Sequence, residues 1–316
     1  MPHETAVATR CPGRRRCATV TLAGCSSSKA AKTTSSTAPP TAVSFPATIQ
    51  ASNGAVTLPS QPQRIVSLSP TLTEDLFAIN AGPQVVAVDN QSEYPPSVPK
   101  TSLSGFTPNV EAIAGYRPDL VVVSDDVKGL VAQLKTLGIP TLLEPAATTL
   151  DDVYAEIKQL GAASGHPSDA GSLVETMKAR VVSLLAKVPK RAKPLTSYYE
   201  LDPTLLTVTS HTFVGNPFTA AGLADIADRA GSSTDYPQLN AETLLSDNPD
   251  LVFLADTKCC GQTAATVSAR PGYSTIAAVK NGRVVALDDD IASRWGPRVT
   301  DLLAKIVDAV SAVSAG

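Results

Sequence analysis

Residues 109–121 read NVEAIAGYRPDLV and residues 240–252 read NAETLLSDNPDLV, so one motif occurs in each half of the chain. The two copies agree without a gap at the asparagine, the glutamate and the closing Pro-Asp-Leu-Val. In each copy an asparagine precedes a helical segment, a Pro-Asp turn ends it, and an apolar run of strand type follows. The repeat predicts two lobes that share a helix–turn–strand unit.

Apolar runs of strand type alternate with helical segments on both sides of these motifs. The runs lie at residues 65–68, 85–88, 120–123, 141–143, 195–200, 251–254 and 284–287. Helical segments lie between them, including one predicted at residues 217–229. Such alternation is typical of βαβ units, whose strands form a parallel sheet. We therefore expect an α/β protein with two Rossmann-like lobes, each built on a parallel central sheet.

One segment between the two halves departs from this alternation. Its apolar side chains recur at intervals of mostly three or four residues, at Leu173, Met177, Val181, Leu184 and Leu185. This spacing is typical of an amphipathic helix. It predicts a single backbone helix over residues 167–190, which joins an N-terminal lobe of residues 55–166 to a C-terminal lobe of residues 191–316.

Composition excludes several functional classes. The chain has 316 residues and a formal net charge of −3 at pH 7, whereas a nucleic-acid-binding protein normally carries a basic stripe. It contains no apolar run of about 18 residues, the length that predicts a transmembrane helix. We expect no nucleic-acid partner and no membrane-spanning helix.

The N-terminal residues are typical of an export signal. Three arginines, residues 14–16, precede an apolar stretch, residues 18–24, that ends in Leu-Ala-Gly before Cys25. A positive region, an apolar region and small residues at the cut site describe a signal peptide. The ending also resembles the bacterial lipobox, which implies removal of residues 1–24 and lipidation of Cys25. The alternative is a chance Leu-Ala-Gly-Cys sequence in a leader.

The residues that follow Cys25 are polar. Residues 26–42, SSSKAAKTTSSTAPPTA, are rich in Ser, Thr and Pro. This composition cannot bury a core and is typical of a flexible linker. We predict a lipid-anchored tether over residues 25–54, which holds the protein at the outer face of the cytoplasmic membrane.

Beyond the predicted leader and anchor, the remaining cysteines are the adjacent pair Cys259 and Cys260. Thiols outside the cytoplasm tend to oxidise, so the pair either forms a vicinal disulfide or remains as two free thiols. Metal binding is disfavoured, because no histidine or further cysteine lies close in sequence. We predict no metal site.

Candidate ligand-binding residues follow the predicted strands, because ligands of open parallel sheets bind outside the carboxyl ends of the strands. Aromatic rings with a few polar groups suit a flat or conjugated ligand. The candidates are Tyr94, Phe106, Tyr199, Tyr236, Arg294 and Trp295. The alternative for each aromatic is ordinary packing, and for Arg294 it is a solvated charge at the rim.

Five segments occur in an order that resembles a known family: RIVSLSPTLTE, SEYPPSV, the NVE…RPDLVVVS block, the NAE…PDLVF block and SRWGPR. They are similar to segments of the vitamin B12 and ferric-siderophore binding proteins of class III ABC importers. The resemblance covers about residues 60–310. It implies the class III periplasmic-binding-protein fold, in which one rigid helix joins two α/β lobes around a ligand cleft.

The resemblance also implies a docking role for two glutamates. Glu111 and Glu242 match carboxylates, one on each lobe, that contact arginines of the membrane permease. Two exposed carboxylates on separate lobes can orient a basic partner. The alternative is local, because a carboxylate near a helix N-terminus is favourable by itself.

Four of the candidate ligand-binding residues also match pocket residues of this family. Tyr94 and Tyr236 resemble pocket aromatics of the cobalamin binders. Phe106 matches another with an offset of one residue, and Arg294 resembles a basic pocket residue.

We therefore predict an extracytoplasmic solute-binding lipoprotein that captures cobalamin or a related corrinoid and delivers it to the permease and ATPase subunits of an ABC importer. We expect a monomer with no catalytic residues and no intrinsic cofactor. The alternative ligand of the same importer class is an iron chelate, either a ferric siderophore or haem.

Alternatives outside this importer class are a surface lipoprotein without a transport role, a zinc or manganese binder, and a hydrolase. A metal binder needs more histidines than His166 and His211, which are far apart in sequence. A hydrolase is disfavoured because Ser210 and His211 are adjacent in an extended segment and so point to opposite faces.

Overall fold

The computed structural model describes residues 43–229, 231 and 233–314. The predicted leader, Cys25 and the tether as far as residue 42 lie outside the described residues. Among the described helices, none is long and apolar enough to cross a membrane.

The N-terminal lobe is built on a parallel sheet with the strand order β4-β3-β5-β6, preceded by an antiparallel hairpin of β1 and β2. The strands are β1 (Ala47–Ala51), β2 (Gly54–Leu58), β3 (Ile65–Ser67), β4 (Val85–Val88), β5 (Leu120–Val123) and β6 (Thr141–Leu143). The helices are α1 (Pro70–Ala78), α2 (Val110–Gly115), α3 (Leu130–Thr136) and α4 (Leu150–Ser164).

The hairpin corrects the predicted tether, which extends too far toward the C-terminus. Strand β1 packs its buried Ile49 into the lobe, and Asn53 donates from its side chain to the carbonyl oxygen of Thr141. Ser52 and Asn53, which fall in the predicted tether, form the hairpin turn. Residues 47–51 form a strand because they pair with β2, and the composition of the segment does not show that pairing.

The C-terminal lobe repeats the same architecture, with the strand order β10-β9-β7-β8. The strands are β7 (Leu195–Glu200), β8 (Leu223–Asp225), β9 (Leu251–Leu254) and β10 (Val284–Ala286). The helices are α6 (Gly215–Ala220), α7 (Ala241–Asp247), α8 (Ala264–Ser268), α9 (Ala277–Lys280), α10 (Asp289–Ser293) and α11 (Val299–Ala312). Two lobes with equivalent parallel sheets confirm the predicted fold class.

The helix predicted at residues 217–229 is wrong beyond Ala220. Gly222 adopts φ of +76°, a conformation that glycine reaches without strain and that commonly ends a helix. The chain then enters β8, which pairs in parallel with β7. Strand β8 is short and has no alternating pattern of its own. It is a strand because it pairs with β7.

Both faces of each sheet are covered, which explains the unbroken apolar strands. In β5, Leu120 and Val122 pack into one core cluster, while Val121 and Val123 pack into another on the opposite face. All four are buried. Parallel sheets of α/β proteins normally read this way, because helices lie on both faces.

The asparagine of the repeated motif caps a helix in both lobes. Asn109 accepts a hydrogen bond from the backbone N–H of Ala112 at 2.9 Å, and Asn240 accepts one from Thr243 at 2.8 Å. A side chain that caps the first turn satisfies a donor that the helix itself leaves free. The motif therefore starts α2 and α7 in the same way.

The aspartate of the repeated motif ties its strand to the neighbouring one. Asp119 accepts the backbone N–H groups of Gln63 and Arg64, both at 2.8 Å, just before β3. Asp250 accepts the backbone N–H of Thr196 at 2.9 Å, within β7. The same residue type thus joins the two central strands of each sheet.

The connecting helix is α5 (Pro167–Leu185), which ends five residues before the boundary predicted at residue 190. Its buried Ala170, Val174 and Met177 belong to the core of the N-terminal lobe. Leu184 belongs to the core of the C-terminal lobe. One helix therefore contributes to both cores.

Candidate functional site

The strand order creates a crevice at the carboxyl edge of the N-terminal sheet. The chain leaves β3 for β4 on one side and returns to β5 on the other, and such a switch point is where open α/β sheets bind ligands. A cavity of about 100 Å³ lies there. Its lining includes Pro70, Asp89, Gly105, Phe106, Ser124 and Asp125.

The equivalent edge of the C-terminal sheet lies between β7 and β9 and carries a buried acid pair. Arg270 donates to both oxygens of Glu200, each at 2.6 Å. Burial, together with the negative charge of Glu200, raises the pKa of Asp256 to about 7. Two acids and one arginine therefore occupy the position where β7 and β9 diverge.

Three of the predicted aromatics are exposed: Tyr94 is 44% exposed, Phe106 77% and Tyr236 54%. Tyr94 and Phe106 lie between β4 and α2, and Tyr236 lies between β8 and α7. Because β4 and β8 are equivalent strands of the two sheets, all three follow corresponding carboxyl ends. All three therefore lie at the carboxyl edges where open parallel sheets bind ligands.

The main chain holds Tyr236 beside the segment that follows β7. The backbone N–H of Thr207 donates to Pro237 and that of Thr209 donates to Asp235. Tyr236 is therefore held next to the carboxyl end of a central strand.

Tyr199 does not line this surface, and its predicted ligand-binding role is corrected. It is 1% exposed, its hydroxyl donates to the carbonyl oxygen of Ala292 at 2.9 Å, and its ring meets Phe218 edge to face at 5.5 Å. The adjacent Tyr198 is also buried, on the opposite face of β7. Helices cover both faces of this strand, so neither tyrosine reaches the surface.

Tyr94 borders a larger cavity of about 370 Å³ against the connecting helix. The guanidinium of Arg298 lies over the Tyr94 ring, 4.1 Å from its centroid, which is a cation–π contact between the lobes. The apolar part of the lining includes Phe77, Pro95, Leu173, Met177 and Pro297.

Arg294 is engaged in a contact between the lobes. It donates to Glu74 on α1 at 2.9 Å and to Asp290 at 2.7 Å, and its side chain is only 12% exposed. Arg298 donates from Nε to the second oxygen of Glu74 at 2.7 Å. One buried carboxylate therefore receives two arginines from the other lobe.

Trp295 lies between these arginines in the sequence and makes a second contact between the lobes. Its indole N–H donates to Glu156 on α4 at 3.2 Å. Glu156 adjoins the fully buried Asp75. Burial and the charge of Glu156 raise the pKa of Asp75 well above its usual range. Trp295 thus contacts an acidic cluster inside the N-terminal lobe.

Burial is the main cause of the raised pKa values in this cluster. It raises the pKa of Glu156 to about 7. Burial and the charge of Glu156 raise the pKa of Glu144 to about 8. Close buried carboxyls disfavour one another's ionisation, so the cluster retains protons near neutral pH.

Glu74, Arg298 and the acidic cluster were not predicted from the sequence. Both Glu74 and Arg298 lie within motifs that carried the family resemblance, RIVSLSPTLTE and SRWGPR. Their places as the last residues of these two motifs were the available signal.

Glu111 and Glu242 occupy equivalent positions in the first turns of α2 and α7. Both side chains are exposed. They share this location because the same asparagine cap precedes each, two residues earlier. The structure thus presents an exposed carboxylate at an equivalent position on each lobe.

The cysteine pair follows β9, and both thiols are free and exposed. Their Sγ atoms are 2.6 Å apart. Among the described residues, no group of three or more His, Cys, Asp or Glu side chains could hold a metal ion.

The family model described as periplasmic binding protein matches residues 65–291, which include both sheets and the connecting helix. The chain belongs to the periplasmic binding protein family. The match begins at β3 and extends to α10, so it covers the two crevices and all three exposed aromatics.

Three members of this wider group illustrate its range. The chain is 32% identical to an uncharacterized ABC transporter substrate-binding lipoprotein of Bacillus subtilis, over 84% of this chain and 86% of that one. It is 32% identical to a cobalamin-binding protein of Halobacterium salinarum, over 85% and 75%. The crystal structure of the periplasmic vitamin B12 binding protein of Vibrio cholerae is 25% identical, with a TM-score of 0.66, and covers 79% and 97%.

Proposed function

We propose that this chain is an extracytoplasmic solute-binding protein that captures a corrinoid, cobalamin first, between its two lobes and passes it to an ABC importer. The exposed aromatics Tyr94, Phe106 and Tyr236 carry the proposal. They follow equivalent strands of the two sheets, and flat conjugated ligands are held by such rings. The cobalamin-binding relative of Halobacterium salinarum supports this ligand class.

Binding is tested by titrating the protein with cyanocobalamin, haem and a ferric siderophore in parallel. We expect saturable binding of cyanocobalamin and weaker binding of the other two. Binding of haem or the siderophore alone would transfer the proposal to iron chelates. Steady turnover of any of these compounds would contradict a pure binding role.

The aromatic surface is tested with Y236A and F106A. We expect each to weaken cobalamin binding by about tenfold, which corresponds to ~1.4 kcal/mol. L137A is the matched control, because Leu137 is 54% exposed but precedes β6 and so lies at the amino edge of the sheet. An equal loss of affinity in L137A would contradict the assigned surface.

We propose that Glu111 and Glu242 dock on basic residues of the permease. Their exposure and equivalent positions on two lobes support this role, since paired charges orient a partner. E111Q and E242Q should leave cobalamin affinity unchanged and reduce ligand-stimulated ATPase activity of the reconstituted importer. E175Q removes an exposed carboxylate from α5 and serves as the control. Unchanged ATPase stimulation in the E111Q/E242Q double variant would refute docking.

We propose that Cys25 carries the lipid anchor. The Leu-Ala-Gly-Cys sequence supports this, as does the Bacillus subtilis relative described as a lipoprotein. In cells fed a labelled fatty acid, the wild-type protein should take up label and C25S should not. Equal labelling of both proteins would place the lipid elsewhere.

A further inference from the structure

The Cys259–Cys260 pair lies on a loop whose main chain is bound to α10. Three consecutive backbone N–H groups, those of Thr257, Lys258 and Cys259, donate to the carboxylate of Asp289 at 2.8–2.9 Å. Asp289 is the first residue of α10. The position of this loop is therefore coupled to the start of that helix.

Helix α10 leads directly to the contact between the lobes. Lys258 donates from Nζ to Asp290 at 2.8 Å, and Asp290 accepts from Arg294 at 2.7 Å. Arg294 also donates to Glu74 of the N-terminal lobe. Charged hydrogen bonds thus form a continuous path from the cysteine loop to the other lobe.

The two sulfur atoms are close enough to be joined in a disulfide once an oxidant attacks one of them. Both are exposed, and their Sγ atoms are 2.6 Å apart. The contact with Cys260, followed by desolvation and nearby negative charges, raises the pKa of the Cys259 thiol to about 12. Since the thiolate is the nucleophile, the reaction should accelerate as pH rises.

Ring closure would strain the main chain around the pair. A trans peptide fixes consecutive Cα atoms about 3.8 Å apart, closer than the ~4.4–6.8 Å usual for a disulfide, so the torsions on either side of that peptide would have to rotate. The N–H of Cys260 now donates to the carbonyl oxygen of Asp256 at 3.3 Å. Reorientation of the peptide between the cysteines would disturb this bond and the adjacent bond to Asp289.

The next residue permits such a change. Gly261 adopts φ of +66°, and a side chain built there would meet no atom within 4 Å. The turn is therefore both unobstructed and conformationally free. On the other side of the pair, the main chain is hydrogen-bonded to Asp289, the first residue of α10. A change of conformation at the cysteines is therefore transmitted to α10.

We propose that Cys259 and Cys260 form a modification site that small-molecule disulfides oxidise to a vicinal disulfide, and that this oxidation alters the contact between the lobes through Asp289 and α10. Its relevance to ligand capture rests on the proposed function. The site would react with any accessible low-molecular-weight disulfide, of which oxidised glutathione is the probe.

The reaction is a balanced thiol–disulfide exchange. One cysteine thiolate attacks a sulfur of glutathione disulfide, forms a mixed disulfide and releases one glutathione. The second thiolate attacks the protein sulfur of that mixed disulfide and releases the other glutathione. The two cysteines are oxidised, the glutathione disulfide is reduced, and the two thiol protons pass to the released thiolates.

The modification is read by mass spectrometry of the full chain after oxidation, alkylation and trypsin digestion. Trypsin cuts after Lys258 and Lys280, while Pro271 protects the bond after Arg270, so the peptide of residues 259–280 contains both cysteines and no other. We expect this peptide to lose two hydrogen atoms and to resist alkylation. Alkylation of both cysteines after oxidation would overturn the proposal.

The contact between the lobes is read by tryptophan fluorescence, because Trp295 is the single tryptophan of the chain and contacts Glu156. Oxidation should change the emission of the wild-type protein. C259S and C260S should form only mixed disulfides and keep the reduced emission, and D289N should be oxidised without an emission change. Unchanged wild-type emission, or the same change in C260S, would overturn the link. Neither readout uses cobalamin, so failure of reduced protein to bind cobalamin would count against the proposed function alone.

Discussion

Trp295 of the C-terminal lobe donates its indole N–H to Glu156 of the N-terminal lobe across 3.2 Å. This bond connects the segment before α11 to helix α4. It lies beside the two arginines that bind Glu74. The SRWGPR segment therefore supplies three polar side chains to the contact between the lobes.

Replacement of Trp295 by phenylalanine should remove this bond while retaining an aromatic ring. An acceptor left buried without its donor costs about 1–3 kcal/mol. We expect W295F to lower the free energy of unfolding by that amount, measured by urea denaturation followed by circular dichroism. An unchanged unfolding midpoint would indicate that the bond contributes nothing.

Replacement of Glu74 by glutamine should destabilise the protein more strongly. The substitution removes the charge that neutralises Arg294 and Arg298, and loss of one member of a buried ion pair costs about 3–5 kcal/mol. E175Q is the matched control, because Glu175 pairs with Lys178 at the exposed surface and such pairs contribute at most about 1 kcal/mol. Equal destabilisation by E74Q and E175Q would refute the importance of the buried contact.

The acidic cluster should make stability depend on pH. Burial raises the pKa of Glu156 to about 7 and that of Glu144 to about 8, from 4.5. Between about pH 5 and 8 the folded state therefore binds more protons than the unfolded state, and stability falls as pH rises. Urea denaturation across this range should show the decline, and E144Q should make it less steep, because the raised pKa values of Glu156 and Asp256 remain.

Asp152 provides the control for this pH dependence. Hydrogen bonds from Thr148 and Thr149 lower its pKa, so its stabilisation is lost only in acid, below the range tested. D152N should shift the whole curve and leave its slope between about pH 5 and 8 unchanged. A rise in stability from pH 5 to 8 in the wild-type protein would contradict the assignment of the cluster.

Replacement of Tyr199 by phenylalanine tests whether this tyrosine stabilises the core or binds the ligand. Its hydroxyl donates to Ala292 within the core, so Y199F should cost about 1 kcal/mol of stability. Cobalamin affinity, measured by calorimetry, should remain that of the wild-type protein. A tenfold loss of affinity would return Tyr199 to the binding surface.

The sequence by itself determined the duplicated architecture. Asn109 and Asn240 cap helices, and the apolar runs after Asp119 and Asp250 form central strands, because these effects act within a few residues of the motif. The positions of Tyr94 and Phe106 at the carboxyl edge of a sheet were also predictable, since both follow the predicted strand at residues 85–88, whereas the strand before Tyr236 was not predicted.

Only the tertiary structure decided which charged and aromatic side chains are buried. Tyr199 and Tyr236 were both predicted to bind ligand, yet helices bury Tyr199 while Tyr236 is exposed. Glu74 and Arg298 are 224 residues apart in sequence, and they meet only because α5 brings the two lobes together. Burial and ion pairing depend on which surfaces come into contact. A local sequence pattern does not show which distant segment will pack against it.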